Sequence, residues 1–237
     1  PPVFITPAIL ETYTTTQSVL SRPSTLPEAF TLYASKPVPK PSTNPPTYTP
    51  QSPSAASAAI PPAVAATALS AAIASKSLPL ALDVIETTYR APAFRRAKIL
   101  RRALPPFLGA ALAPLAVYTL AGQLAQYQST MDPGTATAMA FAGMFTYVGA
   151  TATIGVVAVT TANDQMDRVT WAMGMPLRER WLREEERGAV DRVAGAWGFK
   201  ETWRRGEEEG EEWEGLREWV GVRGMVLDKV ALMDGME

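Results

Sequence analysis

The chain has 237 residues with 22 Lys and Arg against 23 Asp and Glu, so it is nearly neutral and lacks the overall basic bias of a dedicated nucleic-acid binder. It contains no His and no Cys, which excludes Ser–His and Cys–His nucleophilic pairs, His-ligated zinc or haem, thiolate clusters and disulfides supplied by this chain. With no phosphate-cradling Gly-rich loop, dinucleotide fingerprint or nucleophile elbow either, the sequence reads as non-catalytic, with no cofactor and no metal.

Residues 1–62 hold about two thirds of the 21 prolines, many Ser and Thr, and few charges. That composition predicts an extended, non-globular arm. Lys36-Pro37-Val38-Pro39-Lys40-Pro41 and Asn44-Pro45-Pro46 favour polyproline II. Two roles are open: a disordered linker, or a strap that orders along a partner. The strap would use Phe4, Ile5, Ile9, Leu10 and Tyr13, and above all Phe30, Leu32 and Tyr33.

Residues 63–102 read as a helical hairpin followed by a basic juxtamembrane segment. Val64, Ala68, Leu69, Ala72 and Ile73 share one helical face, Lys76-Ser77-Leu78-Pro79 supplies a bend, and Leu80 starts a second helix. Ala68-Leu69-Ser70-Ala71-Ala72-Ile73 followed by Leu80-Ala81-Leu82-Asp83-Val84-Ile85 resembles one helical pair of the pentatricopeptide or tetratricopeptide repeat families, over residues 64–89. The resemblance implies a lone hairpin that docks on another helical protein. Arg90, Arg95, Arg96, Lys98, Arg101 and Arg102 then follow with no acid among them. With Phe94 and Ile99 interleaved they could touch RNA phosphates, but anchoring to anionic lipid headgroups is the favoured role.

Two uncharged apolar stretches, 103–126 and 136–162, flank a turn containing Asp132-Pro133-Gly134. Each exceeds the roughly 20 residues a bilayer requires, and together they predict a two-helix transmembrane hairpin. The alternative is a buried helical pair in a soluble core. Arg-rich flanks and a turn bearing only Asp132 predict that both termini stay on one side, although Asp164 and Asp167 sit near the second span. Rows of small residues spaced by four, Gly109, Ala113, Val117 and Ala121 on one span and Ala138, Ala142, Thr146 and Ala150 on the other, are the candidate packing faces. Gly143, Gly149 and Gly155 offer the second span a further close-approach surface. Pro105 and Pro106 suit a first helical turn, while Pro114 is expected to kink the helix.

Residues 163–237 carry every Trp of the protein and read as a soluble amphipathic helical tail. One helix is expected from Pro176 to a stop at Gly198, with Leu177, Trp181, Val190, Val193, Ala194 and Trp197 on its apolar face and Glu179 pairing with Arg183. The run Glu207–Glu212 reads as a solvated loop or helix start, and a second amphipathic element carries Trp213, Leu216 and Val220. Met225–Leu227 and Val230–Met233 are ambiguous between strand and helix. Trp181, Trp197 and Trp213 are the candidate partner contacts, set against the alternative that the tail is a small autonomous domain.

The sequence therefore predicts a mostly α integral membrane protein contacting lipids and other subunits of a membrane complex. The function expected is that of an accessory subunit or assembly factor. A tether for mitochondrial translation machinery, touching a ribosome or an RNA-binding factor, is the alternative. A start at Pro1 without Met reads as a processed N-terminus, which favours the mitochondrial inner membrane with both termini in the matrix. Bacterial inner, endoplasmic reticulum and plastid membranes are the alternatives.

Overall fold

The computed structural model describes residues 4–40, 47–161 and 167–228, and it is 69% helical, in keeping with the mostly α expectation. The readings made for Pro41, Asn44-Pro45-Pro46, Asp164 and Val230–Met233 lie outside the described residues. The chain divides into two units, one formed by Pro1–Lys98 with Asn163–Glu237 and the other by Ile99–Ala162.

The Pro-rich N-terminus departs most from expectation. Where the sequence suggests an extended arm, the structure forms α1 (Pro7–Val19) and α2 (Leu26–Ser35). Pro7 and Pro27 each fall in a first turn, where the missing N–H has no intrahelical role. Thr6 caps α1 by accepting from the Ile9 N–H at 3.2 Å. Spacings of four and three place Leu26, Phe30 and Tyr33 on one buried face of α2. α1 buries Leu10 and Thr14, and the Thr14 hydroxyl donates to the Leu10 carbonyl at 2.9 Å. Lys36 Nζ donates to the Ile5 carbonyl at 2.7 Å and lies 3.4 Å from the Tyr33 ring centroid, and burial lowers its pKa. A short antiparallel pair follows, β1 (Val38–Lys40) with β2 (Thr47–Thr49), in which Val38 faces Thr49.

The expected helical hairpin is present as α3 (Pro62–Ala74) and α4 (Leu78–Thr87), with Lys76 at φ 54° in the bend. It packs inside its own unit, α3 against α1 and α4 against α2. Next come α5 (Pro92–Lys98) and a π-helical turn over Ile99–Ala103, just before Pro105 and Pro106, whose lack of N–H groups leaves the carbonyls of Arg101 and Arg102 without their α-helical donors. The two apolar helices are α6 (Leu104–Ala125), which continues through Pro114, and α7 (Pro133–Thr161). Asp132 starts α7 by accepting from the N–H groups of Gly134 at 3.0 Å and Thr135 at 3.2 Å.

The C-terminal segment is also corrected in part. It opens with β3 (Val169–Trp171), and the single helix expected from Pro176 is divided at Arg183 into α8 (Leu177–Leu182) and α9 (Glu184–Trp197). No Pro or Gly marks that break. Arg183 donates instead to the Arg223 carbonyl at 3.0 Å and pairs with Glu186 at 2.8 Å, in place of the expected ion pair with Glu179. α9 does end at Gly198. After it come α10 (Glu211–Gly221) and β4 (Met225–Leu227), a strand antiparallel to β3 with Trp171 opposite Met225. Leu10, Phe30, Leu69 and Ile85 from before the apolar helices share one core with Val190, Val193, Leu216 and Met225 from after them. Arm, hairpin and tail are thus parts of one folded unit rather than three successive segments.

Candidate functional site

Two features stand out: an uncovered apolar surface on the second unit and a basic cavity on the first. α6 and α7 are long and apolar enough to cross a membrane, at about 33 Å and about 44 Å, against a hydrocarbon core of about 30 Å. Their large side chains face outward, with Phe107 69%, Leu115 66% and Ile154 70% exposed. Hydroxyls on these surfaces bond within their own helix, Thr151 to the Tyr147 carbonyl at 2.9 Å and Thr160 to that of Val156 at 2.7 Å. A largely apolar exposed surface on which these threonine hydroxyls bond back to their own helix is compatible with lipid.

The two helices pack through Val117, Ala121 and Ala125 of α6 and through Ala136, Ala140, Phe141 and Met144 of α7, with Tyr118 edge-on to Phe141 at 6.1 Å. Of the small-residue row read on α6, Val117 and Ala121 are buried, Ala113 is half-buried and Gly109 is exposed. On α7 it is overturned: Ala138, Ala142, Thr146 and Ala150 are exposed. They lie two residues from the Ala136–Ala140–Met144 row, about 200° around a helix of 3.6 residues per turn, and so on the opposite face. Gly143, Gly149 and Gly155 have open space where a Cβ would sit.

In the first unit, Arg90, Arg95, Arg183 and Arg223 line an open cavity of about 490 Å³ together with Glu179 and Val222. Arg90 follows α4, Arg95 lies on α5, Arg183 separates α8 from α9, and Arg223 follows α10, so four parts of the fold converge. Two carboxylates behind them hold the guanidiniums. Glu86 takes hydrogen bonds from Arg90 and Arg223, and fully buried Glu186 pairs with Arg183 and lies 3.6 Å from Arg95 and 4.0 Å from Arg90. Burial alone would raise the Glu86 pKa, but the hydrogen bonds from Arg90 and Arg223 outweigh it and hold the group below the usual carboxylate value. Arg223 lies flat on Trp219 at 3.6 Å.

The other residues singled out from sequence are distributed differently. Arg96 is exposed and donates to Ser54 Oγ at 3.2 Å, while Arg101 and Arg102 are exposed on the π-helical turn. Phe30 and Tyr33 are buried in the core, which removes them as partner contacts, whereas Leu32 is 55% exposed. Of the three tryptophans, Trp213 is corrected in the same way, while Trp181 and Trp197 are half-buried. Trp213 is buried against Arg168, Trp181 lies beside Lys98, and half-buried Trp197 donates to Glu212 at 3.0 Å. Glu208, taken for part of a solvated run, is buried and bonded to Arg168. Exposed Trp203 and the carboxylates Glu86 and Glu186 escape a sequence reading, although Glu86 and Arg90 stand at helical i,i+4 spacing. Comparison of the chain with family models, curated proteins and solved structures finds no match.

Proposed function

We propose that the chain is a non-catalytic accessory subunit or assembly factor of a mitochondrial inner-membrane complex, anchored by α6 and α7 with its folded unit on the matrix side. The observation that carries the anchor is the outward apolar surface of both helices. Orientation is supported twice. Arginines precede the first span while the turn carries Asp132 alone, and the flanks on either side of the hairpin share one core, so both must lie on one side of any membrane that it crosses. The lack of His and Cys favours a binding role over a catalytic one. An apolar groove between α1 and α2, where Ile9 and Leu32 are each 55% exposed, is a surface on which a protein subunit could rest.

Because the chain has no native Cys, single cysteines report topology directly. Cysteines placed at Ser129, in the turn, and at Thr202, in the folded unit, are expected to label from opposite sides of a sealed membrane. Labelling of both from one side would sink the anchor. Mass spectrometry of proteins retained after mild detergent extraction addresses the role. Respiratory or assembly components are the expected companions, and ribosomal proteins would transfer the chain to the translation-tether reading.

A further inference from the structure

We infer that the cavity lined by Arg90, Arg95, Arg183 and Arg223 binds a phosphate-bearing anion, specifically the headgroup of an anionic phospholipid. Four guanidiniums meet there, against the carboxylates of Glu86, Glu179 and Glu186. Each guanidinium has five N–H donors in a planar fork suited to phosphate oxygens. The volume, about 490 Å³, lies within the range of small-ligand sites.

The lipid source is chosen from the surroundings and rests on the membrane reading above. Val222, on the cavity wall, is 79% exposed. The Ala172 N–H donates to the Gly224 carbonyl at 3.0 Å, which sets the loop bearing fully exposed Met173 beside the wall. Apolar side chains held in water next to a basic cavity suit a headgroup whose acyl chains lie alongside.

The test uses the full chain in a neutral detergent and calorimetric titration with three probes: dihexanoyl phosphatidylglycerol below its critical micelle concentration, phosphatidylcholine with the same chains, and inorganic phosphate. Phosphatidylglycerol is expected to bind about tenfold more tightly than the other two. Arg95→Gln with Arg223→Gln should abolish binding. Because those side chains also hold the fold, two surface variants supply an independent readout: Val222→Glu should weaken binding about tenfold and Glu179→Gln should tighten it about threefold. Val19→Glu, at an equally exposed site outside the cavity, should change nothing. Equal binding of inorganic phosphate and phosphatidylglycerol would overturn the lipid assignment, and equal affinity of Val222→Glu and the unmodified chain would overturn the cavity. Release of the chain from membranes by alkaline carbonate would overturn the anchor and the lipid source, a result separable from either binding outcome.

Discussion

Gly198 ends α9 directly against Arg168, and a Cβ there would overlap the guanidinium and lie 2.8 Å from Glu208 Oε1. The Arg168 side chain has no room to retreat, since it is buried, stacks on Trp213 at 4.6 Å and is held by Asp228 through Nε at 2.9 Å and Nη2 at 2.8 Å. Gly198→Ala is therefore expected to lower stability by about 1–3 kcal/mol. Gly195→Ala, inside the same helix with open space around it, should raise stability by about 0.5–1 kcal/mol. Urea midpoints of the two variants check the pair, and equal shifts would argue against the close approach. Glu208 gives a second test. Burial alone would raise its pKa, but hydrogen bonds from Arg168 and from the N–H groups of Phe199 at 2.9 Å and Gly206 at 2.8 Å bring it down to about 2 from an ordinary value of 4.5. A carboxylate depressed in the folded state stabilises above its unfolded pKa, and that contribution disappears as pH falls from about 4.5 to about 2. It amounts to about 3 kcal/mol, and Glu208→Gln should remove this part of the acid sensitivity. An unchanged pH profile of the urea midpoint in the variant would contradict the assignment.

Among the elements, the apolar helices meet at the turn end, through Val117, Ala121 and Ala125 against Ala136, Ala140 and Met144. Ala121 is fully buried, so Ala121→Leu should overpack the contact and cost about 1–3 kcal/mol of hairpin stability. Ala142→Leu with Ala150→Leu, on the outward face, should leave the pairing of α6 and α7 intact. Crosslinking between cysteines on the two helices, measured in each background, distinguishes these outcomes. Loss of the crosslink in the Ala142/Ala150 variant alone would restore the row read from sequence. That row failed for a geometric reason: in an Ala- and Gly-rich helix several faces carry small residues at intervals of four, and spacing alone does not say which one meets the partner.

For the whole molecule, residues 1–62 belong to the fold. Leu10, Leu26, Phe30 and Tyr33 are all buried in the shared core, so deleting residues 1–50 should expose Leu69 and Ile85 and destabilise the C-terminal half, with loss of protease resistance as far as α10. Phe30→Ala alone should cost about 3–5 kcal/mol, a large share of ordinary domain stability. A truncated chain that melts at the same temperature as the full one would return the arm to the role of linker. The apolar helices, the α3–α4 hairpin and the Gly198 stop were legible because each is written in local periodicity or in a single punctuating residue. The arm was misread because proline content was taken as disorder, although Pro7 and Pro27 both stand at first-turn positions that helices accept. The cavity was invisible for a different reason: its arginines lie on four separate parts of the fold, and only tertiary packing collects them.

The shared core also imposes an order of events. A ribosome delivers α1 to α5 first, yet part of the cover over α3 and α4 is supplied by α9, which emerges only after the whole apolar hairpin. At ordinary elongation rates that interval is on the order of ten seconds, during which the N-terminal half holds an unfinished core. Closure of the unit therefore waits until the apolar hairpin and α9 have both been made.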